Sequence, residues 1–286
     1  MKYTLIIALM FFFTNSIAGK IKIQKDLNYV APTFKDFDLK KHKLDVYYPE
    51  NSEKVRDVIV FIHGGGWEKG QKESYKWMGR KWAKKGKVAV IINYRLAPGI
   101  DYTGMMRDGA RALNWIYENI GYYGGNRDRI FVSGHSAGGH LAALLAYDKQ
   151  YFESLNSKNP VHGAVLIDAF GLNLFNYLKE IHKPEYAKKY DFYKTFTDNE
   201  LEWQKATPAN YIGRRDVPVF VAMGGKTYPG IKLGTARFME GLKGPLNDSY
   251  YIYHEFPKKR HVPMVTQMLR SKNSMYSKIE SFMLSN

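Results

Sequence analysis

At 286 residues, with 45% hydrophobic and 15% aromatic side chains, the chain can bury a large core and has room for one large domain or two small ones. It has no cysteine, which excludes a disulfide framework, a thiolate metal site and a cysteine nucleophile. The formal net charge of +16 raises binding to nucleic acid or to an anionic envelope. The lysines are dispersed, however, and no aromatic-interleaved basic motif is present, so a solvated basic surface is expected and no nucleic-acid partner.

In chain order, residues 1–18 have the layout of a cleaved secretory signal peptide: Lys2, an apolar stretch over 5–13, then Ser16 and Ala18 ahead of Gly19. The apolar stretch is too short to cross a bilayer comfortably, and no cysteine follows the cut. A secreted or periplasmic mature chain without a stable membrane anchor is expected, with 19–286 as a single domain. Residues 20–43 show no clear pattern and are expected to wrap the domain edge irregularly. Residues 44–48 alternate and predict an antiparallel strand ended by Pro49. Residues 57–62 form a near-continuous apolar run, the pattern of a strand buried on both faces. Lys69, Lys72, Lys76, Lys81, Lys84, Lys85 and Lys87 then surround an amphipathic helix and are expected in solvent.

Further apolar runs at 88–92, 130–133, 164–167 and 219–223 alternate with helical patterns. Such alternation predicts an α/β fold, a mostly parallel central sheet with helices on both faces and ligands outside the carboxyl ends of the strands. Residues 172–211 interrupt the alternation with aromatics scattered among charges. They form either a small helical cap over the site or an ordinary helical excursion packed on the rim.

Two glycine-rich turns follow predicted strands. Gly134-His135-Ser136-Ala137-Gly138 lies between the 130–133 strand and a predicted helix over 139–146. This is the form of a nucleophile elbow, in which a sharp turn leaves a serine hydroxyl exposed at the end of a sheet. The alternative is a glycine turn with no chemistry. His63-Gly64-Gly65-Gly66-Trp67 ends the 57–62 strand, and the N–H groups of Gly65 and Gly66, with that of Ala137, could hold a developing oxyanion. The alternative there is a plain loop joining strand to helix.

With these motifs the chain resembles the α/β-hydrolase superfamily, and within it the hormone-sensitive-lipase-like and kynurenine-formamidase-like esterases. The resemblance rests on residues 63–67, Asn93-Tyr94-Arg95-Leu96-Ala97-Pro98, Asp108, 124–130 and 134–140. It implies the order serine, acid, histidine. Downstream of Ser136, His140 belongs to the elbow helix, His162 precedes a strand, His182 lies in the 172–211 segment, and His254 sits inside the alternating run 250–256. His261 follows that run in a loop, where the family's histidine sits, and is the expected base; its alternative is a solvated loop histidine among cations. The acid implied by the resemblance falls within 224–229, where Lys226 and Thr227 stand instead of carboxylates. Asp168, at the carboxyl end of the 164–167 strand, is the substitute, with a turn-capping aspartate as its other reading. Asp198, Glu200 and Glu202 are lesser candidates.

The resemblance thus implies a serine esterase built on Ser136, His261 and Asp168, cleaving a small-molecule ester with a small acyl group and needing no metal or cofactor. A hydrolase-fold protein that binds without catalysis, and an arylformamidase-like amide hydrolase, are the alternatives.

Overall fold

The computed structural model describes residues 20–50, 54–181, 191–243 and 250–286. The proposed signal peptide and His182 lie outside these residues. The strands are β1 (Ile21–Asn28), β2 (Lys43–Pro49), β3 (Arg56–Ile62), β4 (Val88–Ile92), β5 (Gly125–His135), β6 (Val161–Ile167), β7 (Val219–Gly224) and β8 (Tyr251–Phe256). They form one sheet of order β1-β2-β4-β3-β5-β6-β7-β8. β2 runs antiparallel to both of its neighbours, and every pairing from β4 across to β8 is parallel. The helices are α1 (Lys76–Lys84), α2 (Tyr102–Asn119), α3 (Ala137–Tyr147), α4 (Gln150–Glu153), α5 (Leu174–Asn176), α6 (Phe192–Phe196), α7 (Glu200–Lys205), α8 (Pro229–Lys243), α9 (His261–Thr266) and α10 (Ser274–Ser285). Among the described residues no helix is long and apolar enough to cross a membrane.

The two faces of the sheet follow from the period-two alternation of its strands. On β5, Ile130 and Val132 enter one apolar cluster with residues of α2 and α3, while Phe131 enters the opposite one with residues of α1 and α10. Met275, Tyr276, Ile279, Phe282 and Met283 recur at helical spacing on α10 and give it the stripe that covers the second face. α3 is buried along its whole length, as its continuous apolar sequence requires. Each large side chain buried in these clusters contributes about 1.5–3 kcal/mol relative to exposure.

Two sequence expectations are corrected. Residues 21–28 are not irregular but pair with β2 as an edge strand. Ile21 and Ile23 pack on the α1 side; a bulge between Gln24 and Leu27, with Asp26 at φ 56°, turns Leu27 to the other face. Lys72 is not in solvent: it is 2% exposed, and its Nζ donates to Asp26 at 2.6 Å and Asp45 at 2.7 Å and pairs with Glu73 at 2.8 Å. Burial alone would push its pKa down, but these three carboxylates hold it above the usual lysine value.

Candidate active site

The carboxyl ends of β3, β5, β6 and β7 meet at one place, so residues far apart in sequence converge without help from long loops. β5 ends at His135, and Ser136 turns the chain into α3 with φ 58° and ψ −123°, a conformation that costs a non-glycine residue about 1–3 kcal/mol. The turn admits no side chain two residues to either side of Ser136. A Cβ at Gly134 would stand 2.1 Å from the Gly138 carbonyl oxygen, and one at Gly138 would stand 2.1 Å from that of Ile62. Ala137 opens α3, where backbone N–H groups have no intrahelical acceptor.

The glycine loop after β3 is fixed from several sides. Gly65 (φ 130°) and Gly66 (φ 63°) occupy backbone regions that favour glycine, and a Cβ at Gly65 would collide with Lys69 backbone at 2.2 Å. Tyr94 Oη donates to the His63 carbonyl at 2.9 Å, and the two rings stack with centroids 4.5 Å apart. The Ala97 N–H donates to the Trp67 carbonyl at 3.0 Å. Tyr94 is itself held by its neighbour Arg95, whose guanidinium donates to the buried Asp108 at 2.7 and 2.9 Å; His42 Nε2–H donates to the same carboxylate at 3.1 Å. Burial pushes the Asp108 pKa up, but the hydrogen bonds from His42 and Arg95 outweigh it and hold the carboxyl below its ordinary value. This accounts for the 93–98 stretch and Asp108, which brace the glycine loop.

His261 is the first residue of α9 rather than a loop residue. Its Nε2 accepts from Ser136 Oγ at 2.9 Å, and its Nδ1–H donates to Asp168 Oδ2 at 2.7 Å. Asp168 follows β6 with φ 45°, and its N–H donates to the Ala222 carbonyl at 2.7 Å, which ties it to β7. Its Oδ1 accepts from the Gly224 N–H at 2.7 Å and its Oδ2 from Thr227 Oγ1 at 2.5 Å. The two readings of Asp168 are therefore one: the carboxylate caps the turn after β7 and meets the histidine. Thr227, standing where the resemblance implies the acid, supplies a hydroxyl donor to the Asp168 carboxylate after β6.

The other candidates are committed elsewhere. His140 Nε2–H donates to the Ala206 carbonyl at 2.6 Å, and burial pushes its pKa down to about 4. His162 lies within β6 rather than before it, bonded to the Asn286 carbonyl at 2.7 Å. His254 is on β8 beside Phe220. Glu200 pairs with Lys179 at 2.9 Å, Glu202 accepts from Tyr102 Oη at 3.0 Å, and Asp198 is exposed. One convergence of metal-type donors exists among the described residues: His135, Asp168 and His261, with ligand atoms within 4.8 Å of one another. Its carboxylate already accepts three hydrogen bonds and both His261 ring nitrogens are engaged, so these atoms are spent on each other.

Ser136 and His261 open on a cavity of about 920 Å³. Trp67, Tyr75, Trp77, Phe170, Tyr177 and Phe192 supply most of its aromatic wall, and no Lys, Arg, Asp or Glu is among its described lining residues. Tyr177 and Phe192 come from the 172–211 segment, and Phe192 and Phe196 pack edge-to-face on Trp67 at 5.8 and 4.9 Å.

Residues 44–228, well over half of the chain, match the BD-FAE family model. The chain belongs to the BD-FAE family. Among its curated relatives, a probable isoprenylcysteine alpha-carbonyl methylesterase of Arabidopsis thaliana is 29% identical over 159 residues, covering 54% of this chain and 33% of that protein. Esterase LipQ of Mycobacterium tuberculosis is 27% identical over 223 residues, covering 75% of this chain and 52% of that protein. The chain thus spans a third to about half of the length of these relatives. Among solved structures, an inhibited esterase B from Lactobacillus rhamnosis superposes with a TM-score of 0.76 at 18% identity, covering 93% of this chain and 87% of that one. A truncated carbohydrate esterase from gut microbiota gives 0.75 at 16% identity, over 92% and 95%. This BD-FAE family member has the α/β-hydrolase fold that the motifs implied.

Proposed function

We propose that the chain is a serine hydrolase acting on uncharged carboxylic esters with a compact acyl group. The observation that carries this is the unbroken series Ser136 Oγ–H to His261 Nε2 and His261 Nδ1–H to Asp168, opening on a cavity whose described lining residues include no Lys, Arg, Asp or Glu. In the first step Ser136 Oγ bonds to the acyl carbon while its proton passes to His261 Nε2, and the carbonyl oxygen becomes an oxyanion. The N–H groups of Gly65, Gly66 and Ala137 are the donors proposed for that oxyanion. The C–O bond to the alcohol then breaks, and the leaving oxygen takes the proton from His261. Water repeats the sequence on the acyl-enzyme, giving the acid and restoring Ser136. Asp168 keeps the proton on Nδ1 throughout and supports the transient imidazolium.

The names of the relatives, which include esterases and a methylesterase, support an ester as substrate. The cavity falls in the range of small-molecule sites, about 300–1,000 Å³, enough for both portions of a small ester. The described parts of residues 172–211 are read as a cap, supported by Tyr177 and Phe192 in the cavity wall. The pattern of residues 1–18 supports export, with the mature chain beginning at Gly19 and located in the periplasm or outside the cell. The alternative of an inert binding protein rested on a carboxylate missing at Thr227, and the Asp168–His261 contact supports the catalytic reading over it.

The test is hydrolysis of p-nitrophenyl acetate by the wild-type protein and by Ser136→Ala, with serine-directed phosphonate labelling. The wild type should turn over and be labelled, and the variant should lose on the order of 10⁶-fold in kcat while remaining folded. Comparable turnover in a folded Ser136→Ala protein would overturn the proposal.

A further inference from the structure

We infer that His135, the residue before the nucleophile, is a positioning residue that anchors the base from behind, through a hydrogen bond to the His261 backbone carbonyl. The inference rests on the serine-hydrolase reading of the site.

His135 Nε2–H donates to the His261 carbonyl at 3.1 Å, and the two imidazoles stack with centroids 4.6 Å apart at 28°. With the proton on Nε2, the other nitrogen, Nδ1, faces the glycine loop: a Cβ at Gly64 would lie 3.3 Å from it. The ring is therefore wedged between the base and the loop that carries Gly65 and Gly66. It is 5% exposed, and burial, reinforced by the charge on His261, pushes its pKa down to about 3. It thus stays neutral when His261 takes a proton, and no second imidazolium forms against the first.

His261 needs such an anchor. It opens a short helix at the rim of the site, between exposed Arg260 and exposed Val262 and Pro263. Among the described residues its imidazole has two hydrogen-bond partners in the free enzyme, Ser136 and Asp168. Once Ser136 Oγ is acylated it has no proton to donate, and of its two hydrogen bonds the imidazole keeps the one to Asp168 just when it must orient a water. The bond from His135 to the His261 carbonyl does not involve the reacting atoms and persists through that step. Because His135 adjoins Ser136 in the chain, it also fixes the base relative to the nucleophile.

Two variants separate the donor from the ring. His135→Phe keeps an aromatic ring and loses the N–H; His135→Gln keeps an N–H at similar reach and loses the ring. A displacement of about 1 Å in such a site costs up to about 100-fold, so His135→Phe should lose roughly 10- to 100-fold in kcat with KM little changed, and His135→Gln should stay within about fivefold of wild type. The second readout needs no turnover: the low-field Nδ1–H proton resonance of His261, assigned by its loss in His261→Gln. It should be sharp in wild type and His135→Gln and broadened in His135→Phe. Wild-type kcat in His135→Phe, equal losses in both variants tracking a fall in Tm, or an equally sharp resonance in His135→Phe would each overturn the inference. A wild-type protein that cleaves no ester would overturn the hydrolase reading alone, leaving the resonance to decide the anchor.

Discussion

Replacing Asp168 by asparagine sets two needs of one buried side chain against each other. Oδ1 accepts from the Gly224 N–H at 2.7 Å, and Oδ2 accepts from Thr227 and His261 at 2.5 and 2.7 Å. Asparagine brings one oxygen for these two places. With the oxygen at Oδ1, its NH₂ faces His261, which must then present a lone pair at Nδ1 and carry its proton on Nε2. That tautomer cannot accept the proton of Ser136. With the oxygen at Oδ2, the NH₂ faces the Gly224 N–H, two donors opposed in a site where the side chain is 0% exposed. An unsatisfied buried pair of this kind costs about 1–3 kcal/mol. At about 1.36 kcal/mol per factor of ten, the productive orientation is depleted roughly 5- to 150-fold. The amide also lacks the charge that supports the imidazolium, and together these effects cost such triads about 10⁴-fold. Steady-state hydrolysis of p-nitrophenyl acetate should therefore show kcat lower by roughly three to four orders of magnitude at little-changed KM. Thermal melting should show a folded protein of modestly lower Tm. An Asp168→Asn protein that melts normally and keeps turnover within about tenfold of wild type would refute the assignment of the acid.

Thr227→Asp restores a carboxylate at the position the resemblance implies, yet it should lower turnover, because the new group would abut Asp168 in place of a hydroxyl 2.5 Å away. Two carboxylates so close force one pKa sharply upward, so a loss of Tm at pH 8 that eases toward pH 5 is expected; a rise in kcat would contradict it. Lys72→Met should destabilise the fold by about 3–5 kcal/mol by leaving buried Asp45 unpaired, and chemical denaturation showing a change below about 1 kcal/mol would dismiss the pairing as a contributor.

The elbow and the glycine loop were legible because their chemistry is local: strand, tight turn and helix are written within a few consecutive residues. His261 and Asp168 were legible as positions after strands, though nothing in the sequence fixes the distance between residues 93 positions apart. What escaped was set by non-local partners. Lys72 reads as one more surface lysine until Asp26 and Asp45, 46 and 27 positions away, close around it. β1 was missed because only Ile21, Ile23 and Leu27 face apolar clusters and the bulge at Asp26 breaks their alternation. His135 had a signal in its place beside Ser136, but only its hydrogen bond to the His261 carbonyl gives it a task.

Placing the proposed acid directly after β6 also divides the site by how its members are held. Asp168 is bonded through its own N–H to Ala222, and Ser136 through its N–H to Ile167, so both belong to the lattice of the sheet and share its slow, small excursions. His261 rides on a six-residue helix at the rim, outside the strand ladder. The proposed proton carrier is thus the one member held from outside the strand ladder, by its bonds to Ser136, Asp168 and His135. Amide exchange should report that division directly, with residues 261–266 opening at far lower free energy than residues 164–168.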